Sequence, residues 1–499
     1  MNHLDDLRDY ISALKALNEI QEIDVEVDPY LEIGGIIRRS YDLRAPAPLF
    51  NNIKDNKHGI RILGAPVAAS NKPKMLMSRV AVSLGLEPQT SAQEIIKVLA
   101  DLPKCKQIPP ITVPSGPCKE NILIDEAVDL SVIPTPQLNL NDGGPYISTL
   151  GTIVCATPDG SWINWAIARV MYFGEKNRLV ANVVPGQDTN KIRDMWTAIG
   201  KPMPFALFQG GAPIIPFVSG MGIPERVNER DVIGGYLKKP LELVKCETVD
   251  LEVPANAEIV IEGSFSLDEL VTEGPMGEFS GSICLAGKNK NPVLNISAMS
   301  YRNNAILPVV VGGYPIEENH TVWALGIAAK IYSDLKDAKV PVTSCFIPFE
   351  SAVHWLVITI DRNYIWQQKK AGTYKSADII EQIKEVIFKT KPGIWMAKTL
   401  VIADDIDPSN INDVVWAFAT RCNPDNQLIF PNESLPMPLV TFLSKEEKEE
   451  LKCTKTIYNC LRPDNWTQEE IPAPAKFESN WPEDLRNKIL ANWHLYGYK

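Results

Sequence analysis

The sequence predicts a multidomain protein in which two α/β domains flank a β-rich domain. The chain has 499 residues, which is too many for a single ordinary core. A stretch rich in proline and glycine over residues 103–117 separates helix-like from β-like apolar patterns. Alternating helices and strands return after residue 315. We therefore expect domains over residues 1–120, 121–315 and 316–499.

The first domain opens with apolar residues spaced by three and four over residues 4–20, which predicts an amphipathic helix. A strand over 22–27 and a second helix over 31–39 follow. The linker over 103–117 then predicts extended backbone, because its prolines and glycines cannot support a helix. This order is typical of an α/β domain.

Short β-like runs separated by Gly, Pro, Asn and Asp dominate the second domain. They include residues 149–155, 179–184, 258–262 and 306–311. Several short strands with irregular loops predict a β-barrel or a β-sandwich.

The third domain alternates helices with strands. The pattern predicts a helix over 322–335, a strand over 355–360, a helix around Ile379–Ile387, a strand over 399–403 and a helix over 411–421. A last helix begins at Pro482 and stops before Gly497. Such a capped terminal helix usually docks on its own domain or on a partner subunit.

Composition and charge exclude several classes of protein. Fifty Lys and Arg against sixty-one Asp and Glu give a net charge of -11, which disfavours nucleic acid and anionic membranes as partners. No apolar run approaches the roughly 18 residues of a membrane span. The start over residues 1–8 is polar and acidic rather than like a signal peptide. We therefore expect a cytoplasmic protein.

Cysteine and histidine usage argues against a zinc or redox motif. The nine cysteines form no Cys-x-x-Cys pair, and the five histidines are scattered along the chain. This is typical of reduced thiols in a cytosolic protein.

The segment Glu273-Gly-Pro-Met-Gly-Glu278 is the first candidate for chemistry. Two carboxylates lie five residues apart in a loop whose glycines and proline exclude regular structure, so both can turn into one pocket. One acid with a raised pKa and one held ionised by an arginine could then act together. Taken alone, the motif is a weak signal and is more typical of a solvated surface turn.

Two further segments carry isolated charges among apolar residues. Arg169 follows the run Trp162-Ile-Asn-Trp-Ala-Ile-Ala, and burial there would require an anionic partner. Otherwise it is an edge-strand arginine with its head in water. Glu242 in Leu241-Glu-Leu-Val is either an outward-facing strand residue or an oxygen ligand for a hard cation. The acids of Asp404-Asp-Ile-Asp407 precede a helix and are better explained by its dipole than by a metal.

The chain resembles the UbiD-like decarboxylases that use prenylated FMN (prFMN), in particular the ferulic and phenylacrylic acid decarboxylase branch. The similarity extends nearly end to end. Its motifs include Ala47-Pro-Leu-Phe-Asn-Asn, Asp142-Gly-Gly, Asn164-Trp-Ala-Ile-Ala-Arg, Leu243-Val-Lys-Cys-Glu-Thr, Glu273-Gly-Pro-Met-Gly-Glu, Asp404-Asp-Ile-Asp and the closing Asn492-Trp-His-Leu-Tyr-Gly-Tyr-Lys499.

The resemblance implies a central split β-barrel that binds the cofactor and a C-terminal domain used for oligomerisation, commonly as a homodimer. It also implies prFMN supplied by a flavin prenyltransferase, together with Mn²⁺ and K⁺. The metal ligands it implies are Asn164, Asp188 and Glu242. The cofactor-binding residues it implies are Asn164, Ile167, Ala168, Arg169, Gln187, Asp188, Ser219, Met221, Glu242 and Lys391.

The same resemblance implies a non-oxidative, reversible decarboxylation of an unsaturated or (hetero)aromatic carboxylic acid. Arg169 would bind the substrate carboxylate, and the flavin would accept the electrons released as carbon dioxide leaves. Glu278 would deliver the proton that replaces the carboxylate, while Glu273, paired with Arg169, would fix the geometry.

Several positions depart from the pattern of that branch. Asp188 stands where the family has a histidine ligand, although its oxygens suit Mn²⁺. Phe279 and Ser280 replace Met-His after the second glutamate. Ile394-Trp395 and Trp323 stand where that branch tends to have other, often smaller, side chains. We therefore expect a rebuilt substrate pocket.

Two rival functions remain at this stage. Two glutamates flanking a pocket also describe a glycosidase, but such an enzyme needs neither Arg169 nor a flavin. A cofactor-free partner or stability subunit of a decarboxylase is the other, and Asp188 is its best support.

Overall fold

The computed structural model describes residues 3–285, 289–435, 437 and 439–498. Met1 and Asn2 of the polar start and Lys499 of the closing motif lie outside this range. All nine cysteines are described, and all are free thiols, as expected from their spacing.

Helices and strands alternate in the first and last parts of the chain, and strands dominate between them. The helices are α1 (Leu7–Ala16), α2 (Glu32–Asp42), α3 (Ser78–Ser83), α4 (Ala92–Asp101), α5 (Asp188–Ala198), α6 (Ile215–Ser219), α7 (Glu229–Leu237), α8 (Ala324–Asp337), α9 (Arg362–Lys370), α10 (Ser376–Ile387), α11 (Ile411–Arg421), α12 (Lys445–Glu450), α13 (Phe477–Asn480) and α14 (Glu483–Ala491). The strands are β1 (Ile20–Ile23), β2 (Ala47–Phe50), β3 (Arg61–Gly64), β4 (Ile111–Thr112), β5 (Asn121–Ile124), β6 (Tyr146–Ser148), β7 (Thr152–Ala156), β8 (Ile163–Ile167), β9 (Val170–Tyr172), β10 (Arg178–Ala181), β11 (Met203–Gly210), β12 (Glu242–Lys245), β13 (Glu252–Pro254), β14 (Ala257–Glu273), β15 (Asn289–Tyr301), β16 (Ile306–Val309), β17 (Val342–Phe346), β18 (Trp355–Ile360), β19 (Lys398–Ala403), β20 (Leu428–Ser434) and β21 (Lys452–Asn459).

The first sheet has the order β1-β2-β3-β16. Its first pair is parallel, with Ile20 opposite Ala47. Strand β16 lies parallel to β3, although the sequence pattern grouped this segment with the central domain. The chain therefore returns to its N-terminal sheet after completing the central one.

The central sheet has nine strands within the described residues, in the order β6-β9-β10-β15-β14-β11-β7-β8, with β5 also pairing with β15. Strands β14 and β15 are long and antiparallel, and their register shifts after Phe265 bend the sheet. In β14, the side chains of residues 257–262 are buried. Strand β8 forms the edge of this sheet beside β7, and it carries the Asn164 motif.

The last sheet has the order β17-β18-β19-β21-β20. Strand β19 lies parallel to both β18 and β21. Helices α8 and α10 present buried faces to this sheet, which include Ile331 and Ile380. The mixed α/β multidomain class predicted from the sequence is therefore confirmed.

Along the described ranges, no helix combines the length and the apolar character needed to cross a bilayer.

Candidate active site

A cavity of about 350 Å³ lies where the edge strand β8 and helices α5, α6 and α7 meet the start of α8. The predicted residues that line it are Asn164, Ile167, Gln187, Asp188, Ser219, Met221, Glu278 and Lys391. Its size is within the usual range of cofactor and substrate pockets. Residues separated by more than two hundred positions along the chain thus meet at one site.

Arg169 lies between the two predicted glutamates and bonds to both. Its Nη2 donates to Glu273 Oε2 at 2.9 Å, and its Nη1 donates to Glu278 Oε1 at 2.7 Å. The Glu273 side chain is fully buried, whereas Glu278 retains 18% exposure and lines the cavity. Glu278 therefore lines the cavity, and Arg169, whose side chain retains 19% exposure, is bonded directly to it.

Tyr146 is a contact of this group that sequence reasoning missed. Its hydroxyl donates to Glu273 Oε1 at 2.8 Å, so both oxygens of Glu273 are bonded. Tyr146 lies on the strand β6, more than a hundred residues before Glu273. No local pattern could have revealed this pairing.

The charges of the group are set by burial and by mutual attraction. Burial raises the pKa of Glu278, and the neighbouring Arg169 partly offsets the rise. Burial alone would lower the pKa of Arg169, but Glu278 and Glu273 raise it above its usual value. Arg169 is therefore a permanent cation, and the raised pKa of Glu278 favours its protonated form.

The glutamate loop is held from both sides. Glu273 is the last residue of β14, so only the part of the motif that follows it is a loop. The Gly143 N–H donates to Pro275 O at 2.7 Å, and a Cβ at Gly143 would lie 2.1 Å from Gly274 O, so a larger residue does not fit. On the other side, His320 Nε2 lies 3.1 Å from Phe279 O.

Oxygen-bearing side chains line the cavity in addition to Glu278. Three of them make up the candidate metal-binding cluster, namely Asn164, which is buried, Asp188 at the first turn of α5 and Glu229 at the first turn of α7. Asp188 Oδ1 accepts from Lys191 at 2.9 Å and lies 3.9 Å from Lys391 Nζ. Among the described residues, no group of three or more His, Cys, Asp and Glu side chains is arranged to hold a metal, so the cluster is two carboxylates and an amide.

Glu229 lines the cavity, whereas Glu242, the metal ligand predicted from the sequence, does not. Glu242 is an exposed residue at the start of β12 and does not line the cavity, whereas Leu243 and Val244, which follow it, are buried. This corrects the prediction for Glu242. Glu229 is nearly buried, its Oε2 accepts from Trp165 N at 2.9 Å, and burial raises its pKa to about 8.

The position of Glu229 could not be distinguished in the sequence from an ordinary acid in the first turn of a helix. Ala168, which was predicted to bind the cofactor, is not among the residues that line the cavity. It is buried beside the cavity, and its carbonyl accepts from Ser148.

Three aromatic side chains form one wall of the cavity. Phe279 meets Trp323 edge to face with ring centroids 5.2 Å apart, and Trp323 lies 5.8 Å from Trp395. Trp323 belongs to a π-helix over Asn319–Trp323 that precedes α8, and Asn319 also lines the cavity. Phe279, Trp323 and Trp395, three of the residues that depart from the resembled branch, therefore lie together in the cavity that Glu278 also lines.

Family models for the 3-octaprenyl-4-hydroxybenzoate carboxy-lyases match the chain in three parts. The N-terminal domain matches residues 11–99, the Rift-related domain residues 111–315 and the C-terminal domain residues 320–460. The chain belongs to the UbiD family. The resemblance found in the sequence is thus confirmed, and the protein is a carboxy-lyase.

Curated relatives of this UbiD protein match it over nearly its whole length. The pyrrole-2-carboxylic acid decarboxylase of Pseudomonas aeruginosa is 36% identical, and the match covers 99% of this chain and 98% of the relative. Ferulic acid decarboxylase 1 of Saccharomyces cerevisiae is 37% identical with the same coverage.

Solved UbiD-class structures share the fold. HmfF from Pelotomaculum thermopropionicum, solved in complex with FMN, superposes with a TM-score of 0.80 at 22% identity, covering 94% of this chain and 97% of that one. An evolved dimeric form of HmfF, in complex with prFMN, gives a TM-score of 0.76 with the same identity and coverage.

Proposed function

We propose that this UbiD protein removes carbon dioxide non-oxidatively from an unsaturated or (hetero)aromatic carboxylic acid, using prFMN, with Glu278 as the proton donor. The observation that carries the proposal is the placement of Arg169 between buried Glu273 and cavity-lining Glu278. This arrangement combines a fixed cation for a carboxylate with an acid that keeps its proton.

The residues around the cavity fit prFMN and its ions. Helices α5 and α7 both begin at this cavity, and Lys391 and Gln187 line it, which suits a phosphate group. Asn164, Asp188 and Glu229 offer oxygen ligands, the type that Mn²⁺ prefers. K⁺ belongs to the same proposal through the family resemblance. When bound, prFMN supplies an electron-accepting centre for the carbanion left by decarboxylation.

Substrate binding and proton transfer are assigned to different residues of the chain. Arg169 attracts the substrate carboxylate, and Glu273 with Tyr146 holds the guanidinium in one orientation. A carboxylate that pairs with Arg169 reduces the attraction that lowers the pKa of Glu278. Glu278 then holds a proton beside the carbon that loses carbon dioxide, and it donates that proton. In the reverse reaction, carboxylation, Glu278 would accept the proton from the same carbon. Reversibility is therefore part of the proposal.

The aromatic wall supports a flat substrate. Phe279, Trp323 and Trp395 can pack against a ring or a conjugated chain and exclude water from it. The two curated relatives are named for a heteroaromatic and for a phenylacrylic acid. Pyrrole-2-carboxylate and ferulate are therefore the first substrates to test.

We further propose that the protein is a cytoplasmic homodimer, that its central sheet is the split barrel of the family, and that domain boundaries lie near residues 120 and 315. Exposed apolar side chains around the last helix support a dimer. They include Trp481, Leu485, Leu490, Trp493 and Leu495, of which Leu495 is 69% exposed. A partner copy would cover them.

The experiment that tests the function compares protein expressed with and without a flavin prenyltransferase, with manganese and potassium supplied. We expect only the co-expressed protein to show the absorption and intact mass of bound prFMN, and to release carbon dioxide from one of the two acids. Purified co-expressed protein without prFMN would refute the enzyme proposal and leave the cofactor-free partner subunit.

We predict that Glu229→Gln weakens manganese binding by at least about tenfold, because it removes a charged oxygen ligand while keeping the bond from Trp165. Metal content per protein, measured by mass spectrometry across a manganese titration, checks this. Glu242→Gln is the matched control, since Glu242 is exposed on β12 and should bind no metal. Loss of manganese from Glu242→Gln alone would restore the original assignment.

A further inference from the structure

A second cavity, of about 300 Å³, lies in the C-terminal part of the chain and shares no lining residue with the first. Its charged lining residues are Arg362, Lys369, Arg421, Arg462 and a single acid, Asp405. Four cations against one anion is unusual in a chain whose net charge is -11. The cavity is therefore suited to an anion.

The cavity occupies the place where α/β sheets bind ligands. Strands β18, β19 and β21 are adjacent and parallel, and the chain leaves their carboxyl ends at residues 361, 404 and 460. Arg362, Asp405 and Arg462 follow these three ends directly and line the cavity together. Ligands of open parallel sheets bind at this edge because the loops there converge.

Two of the three arginines that line the cavity form ion pairs with carboxylates, whereas Arg462 does not among the described residues. Arg421 forms a double ion pair with Asp405 at 2.8 and 2.7 Å, and Arg362 pairs with Asp404 at 2.8 Å. Within the described part of the chain, no carboxylate lies at ion-pair distance from Arg462. Burial and the neighbouring Arg421 lower the pKa of Arg462, and Asp405 only partly offsets this, so a bound anion would stabilise the charged guanidinium.

The apolar walls of this second cavity suit a flat, apolar ligand. Trp366, Tyr374, Ile471 and Pro472 line the same cavity. Lys369, whose Nζ donates to Trp466 O at 2.7 Å, also lies 5.2 Å from the Trp366 ring centre.

Two polar groups in these walls are unsatisfied. The Tyr374 hydroxyl and Arg421 Nε are buried, and among the described atoms neither has a hydrogen-bond partner. Both are donors that a ligand oxygen could accept from.

We propose that this cavity is a second ligand site that binds a small aromatic monocarboxylate, with its carboxylate on Arg462 and its ring against Trp366 and Tyr374. Arg462 is the arginine of the lining with no ion-pair partner among the described residues, so it can bind a carboxylate, and the apolar walls match a ring. The site does not depend on the decarboxylase function proposed above.

Hydrogen exchange on the full-length, cofactor-loaded protein tests this, with benzoate as the probe. We expect benzoate to slow amide exchange over residues 468–474, which close one side of the cavity. Arg462→Gln should weaken this protection by about 10-fold to 100-fold in benzoate concentration, since a charge-assisted bond is lost. Arg39→Gln, an exposed arginine of α2, removes the same charge elsewhere and should leave protection unchanged.

Two further measurements test the charge and the ring of the ligand separately. Gln468→Glu adds a negative charge to the cavity wall without removing a side-chain bond among the described residues, and it should also weaken benzoate binding. Acetate carries the same charge without a ring and should bind at least about tenfold more weakly. Protection confined to residues 273–281, equal protection in Arg462→Gln, or equal binding of acetate would each overturn the proposal.

Discussion

Glu278→Gln is expected to lower kcat by about 10²-fold to 10⁴-fold, the usual contribution of a general acid, while the protein keeps its cofactor. Glutamine has the same shape, and its side-chain oxygen can still accept from Arg169 Nη1. The amide cannot, however, donate a proton to a carbanion. Turnover of the physiological acid, measured by carbon dioxide release, and the flavin spectrum of the same sample check this.

The control for this variant is Glu126→Gln, an exposed acid whose side chain takes no part in the site. It should retain full activity. If Glu278→Gln turned over within twofold of the unmodified enzyme, Glu278 would not be the proton donor. The test of prFMN binding stands apart from this result, so the two proposals can fail separately.

The proposal also sets the pH dependence. Burial raises the pKa of Glu278 above its usual value, and donation requires the protonated form. Activity should therefore fall as pH rises through the pKa of Glu278 in the complex, and this limb should disappear in Glu278→Gln.

Local patterns predicted several elements whose apolar periodicity is strong. The strand Trp355–Ile360 and the helix Ile411–Arg421 have the predicted bounds, and α10 contains the predicted isoleucines. The first helix is shorter than its pattern, since Leu17 caps it and the turn before β1 begins there. Periodicity continues through such a turn, so the sequence could not mark the end of the helix.

The candidate site was predictable where family motifs carry the residues, and not where the fold supplies them. Arg169 meets Glu273 and Glu278, as expected for a buried arginine that requires anions. That Glu229 lines the cavity and Glu242 does not depends on which residues of β12 are buried and on where α7 begins. Both features are set by the tertiary structure and are not visible in the local sequence.

Asp405 shows the same limit in the C-terminal part of the chain. The acids of Asp404-Asp-Ile-Asp407 were interpreted as complements to a helix dipole. Asp405 instead pairs with Arg421 at the far end of that helix, and Asp404 pairs with Arg362 of another helix. Sequence spacing gave no sign that arginines would converge on them and form a second cavity.

Arg169→Met is expected to abolish measurable decarboxylation and to destabilise the protein by about 3 kcal/mol, because it leaves two buried carboxylates without their cation. Methionine keeps much of the volume of the side chain but none of its donors. Substrate binding also loses its fixed positive charge, so both kcat and KM should worsen. Thermal unfolding and carbon dioxide release measure the two effects.

The loss of stability should depend on pH in a defined direction. Without Arg169 the attraction that lowers the pKa of Glu278 disappears, so its folded-state pKa rises further above the unfolded value. A group with a raised pKa contributes stability that is present below the unfolded pKa and is lost as pH rises through the folded pKa. The variant should therefore be closest to the unmodified protein in mild acid and furthest from it above neutral pH.

Arg169→Lys separates the charge from the geometry. Lysine retains the cation but cannot bond to Glu273 and Glu278 through a rigid fork, so it should recover stability while activity stays low. If Arg169→Met were as stable as the unmodified protein at every pH, the two glutamates would not need the arginine. The ion-paired group would then not be the electrostatic unit on which the proposed chemistry rests.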